Sequence, residues 1–145
     1  MTLYLDTSSL ARLYIDEVGS DTVRALVRQA AVVTTSQIAY AEFRAALTRR
    51  WRDGALRAAD FRKARRAFEA DWPHYVAIEV TSALCQEAGG LAERFRLRGF
   101  DSVHLASFAM VLRSLSAGAA RFSSFDEPLN RAARALLRAR RPGRK

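Results

Sequence analysis

Short apolar runs of strand length alternate along this chain with longer segments in which apolar residues recur every three or four positions. Leu3-Tyr4-Leu5, opened by Thr2, reads as a first strand, and Thr7-Ser8-Ser9 supplies cap candidates for a helix carrying Leu10, Leu13 and Tyr14. Val18 to Ala30 reads as a helix with Val23, Leu26 and Val27 on one face, followed by Val32-Val33-Thr34 as a short buried strand. A helix capped by Thr35 or Ser36 is expected from Gln37 to about Trp51, ended by Asp53-Gly54. Another is expected from Ala58 to Trp72, stopped at Pro73. Val76-Ala77-Ile78 is a third strand, and helical spacing returns from Ala83 to Phe95. Gly89-Gly90 in its middle costs about 1 kcal/mol per residue relative to Ala, which predicts a kink or a close helix contact. After Gly99 come a strongly apolar helix, Asp101 to Leu115, a fourth strand, Ala119 to Phe122, and a last helix opened by Asp126.

This alternation predicts an α/β fold with a central parallel sheet of four strands, a fifth being left open, flanked by helices on both faces. The chain has 145 residues, 50% of them hydrophobic, enough for one domain with a real core. That domain is expected over residues 1–137, with 138–145, containing Pro142-Gly143, as a basic, disordered tail. The single Cys85 cannot form an internal disulfide; its place in Ala83-Leu84-Cys85 predicts a buried thiol in a reducing compartment. No run of about 18 apolar residues exists to span a membrane, and no basic leader precedes the first strand, so a cytoplasmic protein with no membrane partner is expected.

The formal net charge of +9 and pI near 10.9 point to a polyanionic partner such as nucleic acid, with an anionic membrane surface as the weaker option. Arginine outnumbers lysine 22 to 2, which suits bidentate phosphate contacts, although a coding bias toward arginine gives the same count. From Arg44 to Arg66, nine of 23 residues are basic, consistent with either a solvated helical hairpin or a phosphate-contacting arm.

Four of the 15 carboxylates sit apart from polar surface context. Asp6 ends the first strand, where open parallel sheets bind ligands. Glu42 shares a helix face with Ile38, Ala45 and Ala46, which points it at the core side. Asp101 begins Asp101-Ser102-Val103-His104-Leu105-Ala106, and Asp126 follows the fourth strand in Ser124-Phe125-Asp126. Asp6, Asp101 and Asp126 each have a simpler reading as helix caps, the last with Pro128 in the first turn. Glu42 has none, and an acid on an apolar face needs a partner or a cation. Two carboxylates 4 Å apart repel by about 4 kcal/mol at an effective dielectric near 20, so converging acids either protonate or hold a divalent cation. Oxygen-only donors favour Mg²⁺ or Mn²⁺, and the absence of a Cys/His cluster argues against structural zinc. His104 lies one turn from Asp101 but reads better as a hydrogen-bonded helix histidine than as a site group.

Leu5-Asp6-Thr7-Ser8-Ser9-Leu10, Glu42 in an Ala-rich helix, Asp101-Ser102-Val103-His104-Leu105-Ala106 and Ser124-Phe125-Asp126 together resemble the PIN-domain signature, best that of the VapC-type toxins of bacterial toxin–antitoxin modules. The resemblance covers essentially the whole chain in order and spacing. It implies a PIN fold and an Mg²⁺- or Mn²⁺-dependent endoribonuclease, usually a homodimer, neutralised by a cognate antitoxin whose tail occupies the active-site groove. Asp6, Glu42, Asp101 and Asp126 match the acidic quartet that holds the metal, and Ser8 and Ser124 match the hydroxyl positions that support it. Family members commonly add a strand after the last helix, whereas here Ala132 to Leu137 runs directly into the Arg-rich tail. The expected chemistry is metal-assisted hydrolysis of RNA phosphodiester bonds. The main alternative is a non-catalytic basic RNA- or DNA-binding module, which explains the charge but not Glu42. A haloacid-dehalogenase-type phosphatase wants a second Asp where Ser8 stands, and a receiver domain needs a lysine after a late strand, whereas the only lysines are Lys63 and Lys145.

Overall fold

The computed structural model describes residues 1–140 and is built around β1 (Thr2–Leu5), a strand buried on both faces. Successive side chains of a strand point to opposite sides. Leu3 and Leu5 accordingly enter one core, with α1 (Thr7–Ala11), α2 (Ser20–Gln29), α3 (Ile38–Arg52) and α4 (Ala58–Asp71). Tyr4 enters the other, with α5 (Ser82–Phe95), α6 (Gly99–Arg113) and α7 (Glu127–Ala139).

β2 (Val32–Ser36), β3 (Val76–Ile78) and β4 (Ala120–Ser123) complete a parallel sheet in the order β3-β2-β1-β4. The chain steps from β1 outward to β3 and then crosses to the far side of β1 to form β4, whose Ser123 pairs with Leu5. Connections leave β1 and β4 in opposite directions, which opens a crevice beyond their carboxyl ends. Asp6 and Ser124 are the first residues past those two ends.

Several expectations are corrected. Thr7, Ser8 and Ser9 lie inside α1 rather than capping it; the cap is Asp6, as its simpler reading expects, accepting from the Ser9 backbone N. β2 runs on through Thr35 and Ser36; Thr35 donates to the Leu5 carbonyl at 2.7 Å and stabilises the strand pair rather than capping α3. Pro73 sits within a 3₁₀ turn, Trp72–His74, that continues from α4, since proline fits the first turn of a helix. α5 passes unbroken through Gly89 and Gly90, which are exposed, and a Cβ at either would meet open space, so no close helix contact exists there. Cys85 is exposed, because α5 buries Leu84, Ala88 and Leu91 and Cys85 lies off that stripe. α7 extends through Ala139, taking in the first two residues of the expected tail; 141–145 lie outside the described residues. Among the described residues the sheet has four strands, and no helix is long and apolar enough to cross a membrane.

Candidate active site

Asp6, Glu42, Asp101 and Asp126 line one cavity of about 350 Å³ at this crevice. The strand-to-helix turn after β1 leaves Asp6 only 4% exposed, and three donors meet its carboxylate. Oδ1 accepts from the Ser8 hydroxyl at 2.7 Å and the Ser9 backbone N at 2.9 Å, while Oδ2 accepts from the Ser124 hydroxyl at 2.6 Å. Ser8 Oγ in turn accepts from the Phe125 backbone N and Ser124 Oγ from the Asp126 backbone N, which ties the β1 and β4 ends together. Burial raises the Asp6 pKa, and the hydrogen bonds from Ser124, Ser8 and Ser9 only partly offset it.

Glu42 is half-buried on the flank of α3, one position from the core stripe of Ala39, Phe43 and Leu47; Ala45, expected to share its face, is exposed. Its Oε1 accepts from the Thr7 hydroxyl at 2.6 Å and lies 2.7 Å from Nε2 of the buried His104. Burial opposes ionisation of Glu42, yet the bonds from His104 and Thr7, with the charges of His104 and Arg98, carry its pKa below the usual value. His104 is therefore both a hydrogen-bonded helix histidine and a wall of the cleft. Its Nδ1 lies 2.9 Å from the Tyr4 hydroxyl, whose pKa burial holds well above the ordinary tyrosine value. The Tyr4 hydroxyl and the Glu42 carboxylate thus meet the two ring nitrogens of His104 from opposite ends. Tyr4 is itself stacked on Phe122 of β4, the ring centroids being 5.5 Å apart.

Asp101 and Asp126, half-buried like Glu42, form the side of the cleft bordered by the exposed Arg98, its rim. Asp126 caps α7, its Oδ1 accepting from the Leu129 backbone N at 2.9 Å. Its Oδ2 lies 3.6 Å from the Arg98 guanidinium, and Arg98 Nε donates to Asp101 Oδ2 at 3.1 Å. One exposed arginine thus stands between the two rim acids. Among the described residues no three His, Cys, Asp or Glu side chains close up tightly enough to hold an ion. The four acids share a cleft, but Asp6 and Glu42 are held by separate partners, while Asp101 and Asp126 share Arg98.

Tyr4, Thr7 and Arg98 were absent from the sequence reading as site residues, and the helix reading of His104 missed its contact with Glu42. Thr7 and His104 carried a usable signal, as neighbours of Asp6 and Asp101 along their helices; Arg98 carried none beyond its charge.

Residues 3–135 match the PIN domain family. The chain belongs to that family. It is 37% identical over 105 residues to two proteins of Mycobacterium tuberculosis, Ribonuclease VapC45 and Ribonuclease VapC49; the match covers 72% of this chain and 73% of either relative. Among solved structures this PIN domain resembles Mycobacterium tuberculosis VapC20, described as a sarcin–ricin loop cleaving toxin, with a TM-score of 0.66 over 90% of this chain and 94% of that one. At 21% identity that likeness establishes the shared fold. The expected PIN-like α/β architecture and VapC-type relationship are both borne out.

Proposed function

We propose that this PIN-domain protein is a metal-dependent endoribonuclease acting as the toxin of a toxin–antitoxin pair. The observation that carries this reading is the convergence of Asp6, Glu42, Asp101 and Asp126 on one cleft beyond β1 and β4, in a chain whose relatives are named ribonucleases. The donors suit a hard cation: carboxylate oxygens dominate, and both His104 nitrogens are already engaged. Asp6, Glu42, Asp101 and Asp126 are the residues that would hold Mg²⁺ or Mn²⁺. When bound, such an ion supplies Lewis-acid polarisation of the phosphodiester and offsets charge in the transition state.

The protein's own groups act around that centre. Ser8 and Ser124 fix the plane of the Asp6 carboxylate, and the Tyr4–His104–Thr7 chain keeps Glu42 ionised and aimed into the cleft. Arg98 neutralises the rim acids while they lack another partner. On the α3–α4 hairpin, Arg44 pairs with Glu69 and Arg50 with Glu17, whereas Arg49, Arg57, Arg62, Lys63, Arg65 and Arg66 form no ion pair among the described residues. Those charges suit an RNA backbone held by salt-sensitive contacts. A homodimer and a cognate antitoxin whose tail fills the groove, both acting in the cytoplasm, complete the proposal.

The test is cleavage of total cellular RNA by the purified, antitoxin-free protein in Mg²⁺, Mn²⁺ or EDTA, beside Asp6→Asn. Discrete fragments that need metal and vanish in the variant are the expected result. Intact RNA under all conditions, with retained RNA binding, supports the binding-module reading instead.

A further inference from the structure

Phe125 lies between Ser124 and Asp126 just past β4 and belongs to neither core. It is 43% exposed, although the sheet and both helix layers are close at hand. The Arg12 guanidinium lies over one face of its ring, 3.6 Å from the centroid. That cation is held firmly: Nε donates to the Val18 carbonyl at 2.8 Å, one terminal nitrogen donates to the Ser8 carbonyl at 2.7 Å, and Glu17 lies 3.5 Å away. The Arg12 side chain is 17% exposed, so this is a largely desolvated contact, where a cation and a ring attract most strongly. The ring also has a seat made for it. Gly19 has φ of +94°, and a Cβ there would stand 2.4 Å from Phe125 Cε1 and 2.5 Å from Cζ.

Arg12 covers one face and Gly19 lies against Cε1 and Cζ, so a partner meeting this exposed residue meets the remainder of the ring. The ring lines the same cavity as the four acids, and its backbone N is bound to Ser8 Oγ, the hydroxyl that donates to Asp6. An aromatic ring backed by a held cation, partly exposed and tied through Ser8 to the Asp6 carboxylate, has the features of a stacking platform for one unpaired base.

We propose that Phe125, braced by Arg12 and seated by Gly19, stacks a nucleobase of single-stranded RNA next to the phosphodiester addressed by the acidic cleft. The proposal rests on the nuclease reading above and assigns Phe125 as a substrate-positioning and specificity-determining residue. A base already stacked within a duplex has no free face to offer, so the platform selects single strands.

The test measures binding in EDTA by fluorescence anisotropy, with wild-type protein, Phe125→Ala, Phe125→Leu, Phe125→Trp and Gly19→Ala. The probes are a short oligo(A), an abasic ribose-phosphate chain of the same length and an RNA duplex. Phe125→Ala and Phe125→Leu should lose about fivefold to a hundredfold in affinity for oligo(A), the worth of one stacked base, with the abasic chain and duplex unchanged. Phe125→Trp should retain wild-type affinity, and Gly19→Ala, which displaces the ring without deleting it, should behave like Phe125→Ala. Substitution of 2-aminopurine into the oligomer should give fluorescence quenching with wild type that Phe125→Ala abolishes. Equal weakening on base-bearing and abasic chains, or no weakening on either, in a wild type that cleaves RNA overturns the platform alone. Wild-type protein that neither binds nor cleaves any RNA overturns the nuclease reading beneath it.

Discussion

Asp6 and Glu42, the floor of the cleft in the sense that the fold itself supplies their partners, are met by short bonds from hydroxyls, a backbone N–H and one histidine, whereas Asp101 and Asp126, the rim, share a single exposed arginine. The floor is fixed by the fold: its partners come from β1, α1, α6 and the turn after β4. The rim is bridged by charge, through a side chain 82% exposed, with Asp126 also held as the cap of α7. On the proposed metal-dependent reading, Asp6 and Glu42 would be the preorganised ligands, and a cation would have to displace Arg98 from Asp101 and Asp126.

The largest effect expected from breaking the floor is on chemistry. Asp6→Asn should reduce RNA cleavage by at least about a hundredfold, the order seen when one charge-stabilising group is removed from an active site, with RNA binding retained. Cleavage assays and anisotropy on the same preparation check both halves.

His104→Leu should cost about 1–3 kcal/mol of stability, because the buried Tyr4 hydroxyl loses its partner and Glu42 its donor. Urea denaturation with an unchanged slope would report it.

At the rim, Arg98→Ala should change stability by less than about 1 kcal/mol, as exposed ion pairs do. It should lower the Mg²⁺ or Mn²⁺ concentration at half-maximal cleavage several-fold. An unchanged midpoint would mean that Arg98 does not compete with the cation.

The smallest effect separates the two floor acids by sign. Burial raises Asp6, so its contribution to stability is full below its unfolded value of about 3.9 and declines as pH rises through the raised folded value. In EDTA, Asp6→Asn should thus melt slightly above wild type at pH 7, with the difference gone near pH 4. Glu42 is lowered, so the stability it brings is present above its unfolded value and is lost as pH falls through the folded one. Glu42→Gln should melt below wild type at pH 7. Thermal melts across pH 3 to 8 would show the two variants diverging in opposite directions.

The sheet and its helices were legible because each strand is a short apolar run and each helix has a buried stripe. Leu84, Ala88 and Leu91 on α5 are an example, and so are Leu3 and Leu5 against Tyr4 on β1. Cys85 was misplaced because it adjoins that stripe in sequence but is rotated off it in space. Asp6 and Asp126 stand out because strand ends restrict where a carboxylate can go, whereas Glu42, expected on the face of Ala45, lies on the flank of α3. What joins the acids was not legible. Tyr4 reads as any core aromatic in Leu3-Tyr4-Leu5, and nothing local says that its hydroxyl meets a histidine 100 positions away. Arg98 is one arginine among 22 until the crossover to β4 brings Asp126 beside it.

That crossover also orders events during synthesis. Asp6 leaves the ribosome early, but its Ser124 partner follows 118 residues later, roughly 6–24 s at about 5–20 residues per second. Until then β1 has an unpaired edge and Asp126 has not been made. A nascent chain thus carries no complete cleft until Asp126 has been made, 120 residues after Asp6.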